Sequence, residues 1–516
     1  MEPLIPIPLR REIEIKEGDL FMAENTELKG TGQFSKWGFM FAAMGMAIGT
    51  GNIWRFPRVV ASNGGGAFIL VLFFALFLWA IPLICMEGVL GKVTRMGCIG
   101  SFKELVGRKY TWMGWFFGLC CFLITCYYGV VLGWCIRYLF YALQGVFVAG
   151  LDTESLWNNF LGDPQQGMYF YWVAIAMCAF VVGLGVQNGI EKGNKIFIPG
   201  IFILLIFLAI RAMMIPGSSE GLKFLFHINT ADLMKPTVWL NAFTQAAWST
   251  GAGWGLFLTY FVYTKKDEDI LLNACTACFA DTSAALLAGM AVIPTIFALS
   301  PEFMQKVIAG EVGNNGLAFI GLTNLFSNVP GGTVMAVAFF SALILAALSS
   351  EIAMIELGVR MLQDMGKSRR SSVFIVTLVV LVVGTFAARD NMVFENMDWT
   401  WGVGLLMSGL IAAVAAMIVG VDKIWDEYIS PVSDIQAKWM WSLIRLFPLW
   451  FAIIFGWWIQ QSISWYPGEW WKIFPISKYL YAPAPMFLQW AILIGLGFAL
   501  NNWLADNMKH KFEPKV

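Results

Sequence analysis

Apolar residues in this chain gather in long runs, and polar residues collect in the connections between them. A helix that crosses a bilayer needs about 20 largely apolar residues. Runs of that length lie near residues 37–57, 67–91, 113–145, 168–186, 194–214, 237–263, 270–299, 331–363, 371–388, 399–420, 441–461 and 484–507. The pattern predicts an all-α integral membrane protein with twelve transmembrane helices, a tail at 1–36 before them and another at 508–516 after them. Orientation follows from the connections, because cytoplasmic loops keep Lys and Arg. Arg10, Arg11, Lys16, Lys29 and Lys36 precede the first run, Lys92, Arg95, Lys103, Arg108 and Lys109 follow the second, and Lys509, Lys511 and Lys515 follow the last. The connection at 146–167 carries neither Lys nor Arg, so both termini are predicted to be cytoplasmic.

Two runs carry glycines at the depth where a lipid-facing helix should be most regular. The first contains Gly45-Met-Ala-Ile-Gly49-Thr-Gly51-Asn52, and the sixth contains Ser249-Thr-Gly251-Ala-Gly253-Trp254-Gly255. Each glycine costs about 1 kcal/mol in a helix, so both clusters invite unwinding. Close helix packing on small residues would explain either cluster alone. A matched pair five runs apart points instead to a transport site at the membrane midplane, where unwound backbone offers carbonyls to cations and N–H groups to a carboxylate. Such a site suits a sodium ion and an amino acid together.

Composition removes most other functions. Hydrophobic residues make up 58% of the 516, and charged residues only 13%, where a soluble domain has about 25% charged. Lys+Arg and Asp+Glu balance at 34 each, which leaves no electrostatic case for nucleic acid. Two histidines, His227 and His510, leave little for histidine-based catalysis or a metal pair, so no enzyme is expected. Eight of the nine cysteines (Cys85, Cys120, Cys121, Cys126, Cys135, Cys178, Cys275 and Cys278) lie inside apolar runs, as small buried hydrophobes do. Cys275-Thr-Ala-Cys278 has zinc-like spacing without a second pair or a histidine to complete it. The N-terminal 36 residues lack the apolar core of a signal peptide, and no Asn-x-Ser/Thr sequon occurs. These features point to a multi-pass protein of a prokaryotic inner membrane.

Trp54-Arg55-Phe56-Pro57, followed by Asn63-Gly64-Gly65-Gly66-Ala67-Phe68, resembles the signature of the neurotransmitter:sodium symporter family, whose bacterial members include leucine, tyrosine and tryptophan transporters. Arg58 departs from it, since an aromatic residue is usual there. The resemblance implies a leucine transporter-like fold. Two five-helix repeats, 37–214 and 237–420, would be related by inversion with helices 1 and 6 unwound, and 441–507 would supply helices 11 and 12. It also implies sodium-coupled import of an amino acid by alternating access, with the lipid bilayer as the other partner.

The family's sites carry over residue by residue. The first sodium site would use the Ala47 carbonyl, Asn52, Ser249, Asp281 and the substrate carboxylate. The second would use carbonyls of Gly45, Ile48 and Ala346 with the hydroxyls of Ser349 and Ser350. The substrate carboxylate would meet the N–H groups of Thr50 and Gly51 and the Tyr128 hydroxyl, while its amino group meets carbonyls of Ala47, Trp248 and Ser249. Gly49, Ile124, Gly251, Trp254, Ser350, Ala353 and Met354 would complete the pocket. Arg55, Asp398 and Gln245 would form the outer gate, and Tyr263, Glu356 and Asp364 the inner one. The family's N-terminal gate arginine and tryptophan fall on Gly30 and Gln33, with Lys29 or Lys36 as substitutes for the cation. Glu87 would tie run 2 to the unwound part of run 6. Glu351 replaces a small polar residue of the family, and either a watery crevice or a titration during the cycle would account for it.

Substrate size and anion dependence follow from the same positions. Gly49 stands where monoamine transporters have an aspartate, so the substrate brings its own α-carboxylate. Trp254 and Trp248 imply a crowded site and a small neutral substrate such as glycine or alanine. Small or pliable Gly251, Ala353 and Met354 leave a larger hydrophobic or aromatic amino acid as the alternative, and a substrate-sensing receptor is the alternative class. Asp281 stands where chloride-dependent relatives have asparagine, and Ala285 where they have serine, so no chloride is expected and proton countertransport becomes possible.

Overall fold

The computed structural model describes residues 32–313 and 315–513. The first apolar run does not form one helix. Ser35 caps α1 (Lys36–Ala47) by accepting the Gly38 N–H, and the chain turns extended at Ile48. It resumes as a π-helical turn, Gly51–Arg55, which leads into α2 (Phe56–Ser62). Gly64 and Gly65 then take φ of 86° and 57°, the region open to glycine. A Cβ on Gly65 would stand 2.2 Å from the Phe224 carbonyl oxygen, so the glycine run of the motif is a site of close backbone packing.

Four continuous helices follow: α3 (Gly66–Thr94), α4 (Thr111–Leu143), α5 (Pro164–Gly183) and α6 (Lys192–Met213). The sixth run is broken again, into α7 (Pro236–Ser249) and α8 (Leu256–Phe261). Six more complete the chain: α9 (Ile270–Leu299), α10 (Gly332–Asp364), α11 (Arg369–Arg389), α12 (Asn391–Val419), α13 (Phe447–Trp465) and α14 (Pro483–Asn507). Ten helices among the described residues are therefore long and apolar enough to cross a membrane. The expected twelve differ from these by the two broken runs, whose pieces are each too short to qualify alone.

The boundary displaced furthest is the start of the tenth run. Asp390 caps α12 by accepting the Met392 N–H, and the helix starts at Asn391 rather than near 399. Asn391, Glu395, Asn396 and Asp398 make its first two turns polar, which a hydropathy window reads as loop. Asp398 thus lies inside α12, not at its start.

Length and burial separate the helices by role. The two 33-residue helices, α4 and α10, pack along each other at the centre, and α1 packs against α6, α9 and α10. At the periphery α11 exposes Phe374, Leu378, Val382 and Phe386, and α14 exposes Ile492, Leu496 and Phe498. Apolar side chains facing outward along whole helices are what a lipid solvent selects, since hydrocarbon has no hydrogen bonds to offer. The protein is a multi-pass membrane protein.

Candidate substrate and sodium site

Each helix break is held open by a side chain. Between α1 and α2 the Asn52 Oδ1 accepts the Gly49 N–H at 2.9 Å. Between α7 and α8, Gly251, Gly253 and Gly255 take φ of 73°, 85° and 82°, so the helix cannot run through. Glu87 of α3 is fully buried and accepts the N–H groups of Gly253 (2.7 Å) and Leu258 (3.2 Å). Its carboxylate replaces the carbonyl partners those amides lost and so ties α3 to the unwound part of the sixth run, as the resemblance implies.

The expected first-site residues meet at Asp281 of α9. Ser249 Oγ lies 3.0 Å from both carboxylate oxygens, and Asn52 Nδ2 donates to Oδ1 at 2.6 Å and to the Asp281 carbonyl at 2.9 Å. Asp281 is 2% exposed, and the partners of its carboxylate are neutral donors. Asn52 turns its amide nitrogen to this cluster and its oxygen to Gly49, so ligating a cation through Oδ1 requires a half-turn of the amide. Across α1 and α10, Ser349 Oγ lies 3.5 Å from the Ile48 carbonyl and 3.0 Å from that of Ala346. Ser350 Oγ, beside the Tyr128 hydroxyl, is buried without a well-formed hydrogen bond. Every group in both clusters that can face a cation offers oxygen, the donor that hard cations take.

A cavity of about 340 Å³ opens between these clusters. Ala47, Gly49, Thr50, Gly51, Ile124, Tyr128, Trp248, Ser249, Gly251, Trp254, Ser350 and Met354 line it, as expected of pocket residues. Ala353 does not; it is fully buried one position away from Met354, on another face of α10. The Tyr128 hydroxyl accepts the Thr50 N–H at 3.2 Å and lies 3.1 Å from Thr50 Oγ1, so the groups assigned to a carboxylate converge. Val131, Leu405, Tyr127 and Phe394 also line the cavity and were not foreseen. The two tryptophans expected to shrink the site are each held by their indole N–H. Trp248 donates to the Gly402 carbonyl of α12 at 3.0 Å, and Trp254 donates back to Ala247 of α7 at 3.4 Å.

The cavity reaches Arg55, Gln245 and Asp398 at one end. Arg55 lies 4.1 Å over the Trp248 ring, and Asp398 sits beside the Tyr127 hydroxyl. Among the described residues these two charges form no direct ion pair. The opposite end is shut. Tyr263 donates to Glu356 at 2.7 Å, and Arg369 grips both oxygens of the same carboxylate at 2.8 and 2.7 Å. Asp364 joins this network through Arg360, which lies beside the Tyr263 hydroxyl: Asp364 accepts Arg360 Nε at 2.8 Å and the Gly97 N–H at 2.7 Å. Phe34 packs edge-on against Tyr260 and Tyr263, at 5.4 and 6.3 Å between ring centres. Lys36 is exposed and outside this network, while Lys29 and Gly30 lie outside the described residues. Glu351 is fully buried near Cys126, Tyr171 and Cys178, and neither of its oxygens has a hydrogen-bond partner among the described residues.

A profile described as the sodium:neurotransmitter symporter family matches residues 32–159 and 159–506. The chain belongs to this family. It is 31% identical over 410 residues to an uncharacterised sodium-dependent transporter, YhdH, of Bacillus subtilis, covering 78% of this chain and 83% of that one. It is 26% identical over 489 residues to the sodium- and chloride-dependent GABA transporter 2 of Rattus norvegicus, covering 83% and 80%. A crystal structure of MhsT in complex with L-phenylalanine superposes with a TM-score of 0.71 at 30% identity, over 82% of this chain and 98% of that one. The symporter thus has the all-α, many-span, leucine transporter-like architecture, and it is a transporter rather than an enzyme. Sequence reasoning missed Arg360 and Arg369 in it. The signal was present, because Glu356 inside an apolar run and Asp364 at its end each demand a cation.

Proposed function

We propose that this sodium-coupled amino-acid symporter imports bulky hydrophobic amino acids, aromatic ones included, rather than glycine or alanine. The carrying observation is the cavity: about 340 Å³, with Ile124, Val131, Met354 and Leu405 beyond the polar ends. Glycine would leave most of that space to water and those side chains without a partner. The similarity to a transporter crystallised with L-phenylalanine supports the same choice. The expectation of a small substrate read Trp248 and Trp254 as walls, without knowing where their N–H groups find acceptors.

In this reading two sodium ions enter as co-substrates. Asn52, Ser249, Asp281 and the Ala47 carbonyl hold the first, next to the substrate carboxylate; Gly45, Ile48, Ala346, Ser349 and Ser350 hold the second. Carbonyls left free where α7 ends receive the ammonium group, and the N–H groups of Thr50 and Gly51 with the Tyr128 hydroxyl receive the carboxylate. The two broken helices with the ten continuous ones make twelve spans, the first ten in two inverted five-helix halves and the last two outside them, with both termini cytoplasmic in an inner membrane. Scintillation proximity binding of radiolabelled phenylalanine, leucine, alanine and glycine, with sodium and with potassium in its place, tests the reading. Sodium-dependent binding of phenylalanine and leucine at least about tenfold tighter than of glycine is expected; the reverse order would restore the small-substrate reading.

A further inference from the structure

Asn194 stands in the first turn of α6, directly after the π-helical turn Val186–Glu191. Its side chain is fully buried. Nδ2 donates to the Ile190 carbonyl at 2.9 Å, and only the NH2 end of an amide can make that bond, so the oxygen end is fixed. Oδ1 receives no hydrogen bond from any described residue. A buried amide oxygen in that condition has lost its water and gained nothing in return, which proteins rarely tolerate without a ligand or a solvent partner.

Its position shows what could satisfy it. A Cβ built on Gly45 would stand 2.0 Å from Asn194 Oδ1 and 3.2 Å from Ser349 Cβ. The oxygen therefore presses into the notch that glycine leaves in α1, on the side where α10 brings Ser349. Gly45 and Ser349 both belong to the second sodium site of the proposed function. We propose that Asn194 supplies a further oxygen to that site, so that α6 joins α1 and α10 in holding the ion. The proposal rests on the second-site assignment, and it explains why position 45 is glycine: any side chain there would displace the amide oxygen from the site. Three turns of backbone are joined by one ion in this arrangement. Sodium release would then loosen α1 from α6 as well as from α10.

Equilibrium binding of radioactive sodium to the purified protein, without substrate, tests it in three variants. Ser349→Ala tests the second site itself. Asn194→Leu keeps the branched shape at Cγ and removes the oxygen, and Asn194→Asp keeps the oxygen and the volume and adds a charge. Expected are a loss of about tenfold or more in sodium affinity for Ser349→Ala and Asn194→Leu. Asn194→Asp should bind at least as tightly as the native protein at pH 8, and proton competition should weaken it towards pH 5 more than the native protein. Native affinity in Asn194→Leu with loss in Ser349→Ala overturns the role of Asn194 alone. Native affinity in both overturns the second-site assignment. Equal losses in the Leu and Asp variants make Asn194 a packing residue and overturn the proposal. Should Asn194→Leu not fold, the Asp variant decides: affinity below native at pH 8 overturns the proposal, and tight binding with added proton competition supports it.

Discussion

Asp281 accepts from Asn52 and from Ser249, two neutral donors, in a place where the protein buries it almost completely. A carboxylate so placed is costly unless a cation joins it, and the oxygen set around it fits sodium. Residue 285 lies one turn further along the same face of α9. It is a buried alanine and offers no donor that could hold an anion. The fixed charge of Asp281 would then do what a bound chloride does in relatives named sodium- and chloride-dependent, such as the rat GABA transporter. Uptake should persist when gluconate replaces chloride. Asp281→Asn should lower it about tenfold or more, because ligand charge sets affinity for a hard cation, and chloride should rescue it only after Ala285→Ser is added. Chloride dependence of the native protein, measured in the same uptake assay, would refute this role.

Among the elements, the breaks in the first and sixth runs were legible because close packing explains one glycine cluster but not a matched pair five runs apart. Glu87 was legible through the family resemblance, which placed it against the unwound part of the sixth run. The inner network was only half legible. Glu356 and Tyr263 stand in apolar runs, but their cation comes from Arg369, the first residue of α11, at a spacing that no helical period marks. Pocket size was not legible at all, because it depends on tertiary acceptors for two indole N–H groups. The Arg369–Glu356 pair carries its own prediction. Glu356 is fully buried and the Arg369 side chain 25% exposed, and removing one partner of such a pair costs about 3–5 kcal/mol. Most of that loss falls on the shut arrangement of this end, where the pair exists. Hydrogen–deuterium exchange of α1 in Arg369→Ala should therefore be at least about tenfold faster than in the native protein. Unchanged exchange would show that the network does not hold the end shut.

At the scale of the whole molecule, the cavity runs from the ion clusters to Arg55 and Asp398, while Phe34, Tyr263, Glu356 and Arg369 close the other end. Both described chain ends lie at the closed end: Phe34 N–H donates to the Tyr263 carbonyl, and His510 N–H donates to that of Asp364. One gate open and one shut is the asymmetry that alternating access needs, and a receptor on the same scaffold would show it too. Energy coupling separates them. Each sodium ion entering down 100 mV releases about 2.3 kcal/mol, and a tenfold gradient adds about 1.4 kcal/mol. Two ions thus supply up to about 7 kcal/mol per cycle, enough to concentrate a zwitterion by several decades at 1.4 kcal/mol each, and one ion supplies about half. Proteoliposomes with an inward sodium gradient should therefore accumulate phenylalanine or leucine well above the outside concentration. Collapsing the membrane potential should lower the plateau by the electrical share. Returning a proton from Asp281 would cancel one of the two charges, so the plateau would respond to voltage as if a single ion had moved, while its dependence on sodium concentration stayed that of two. Sodium-dependent binding without accumulation would make the protein a sensor, whatever its pocket recognises.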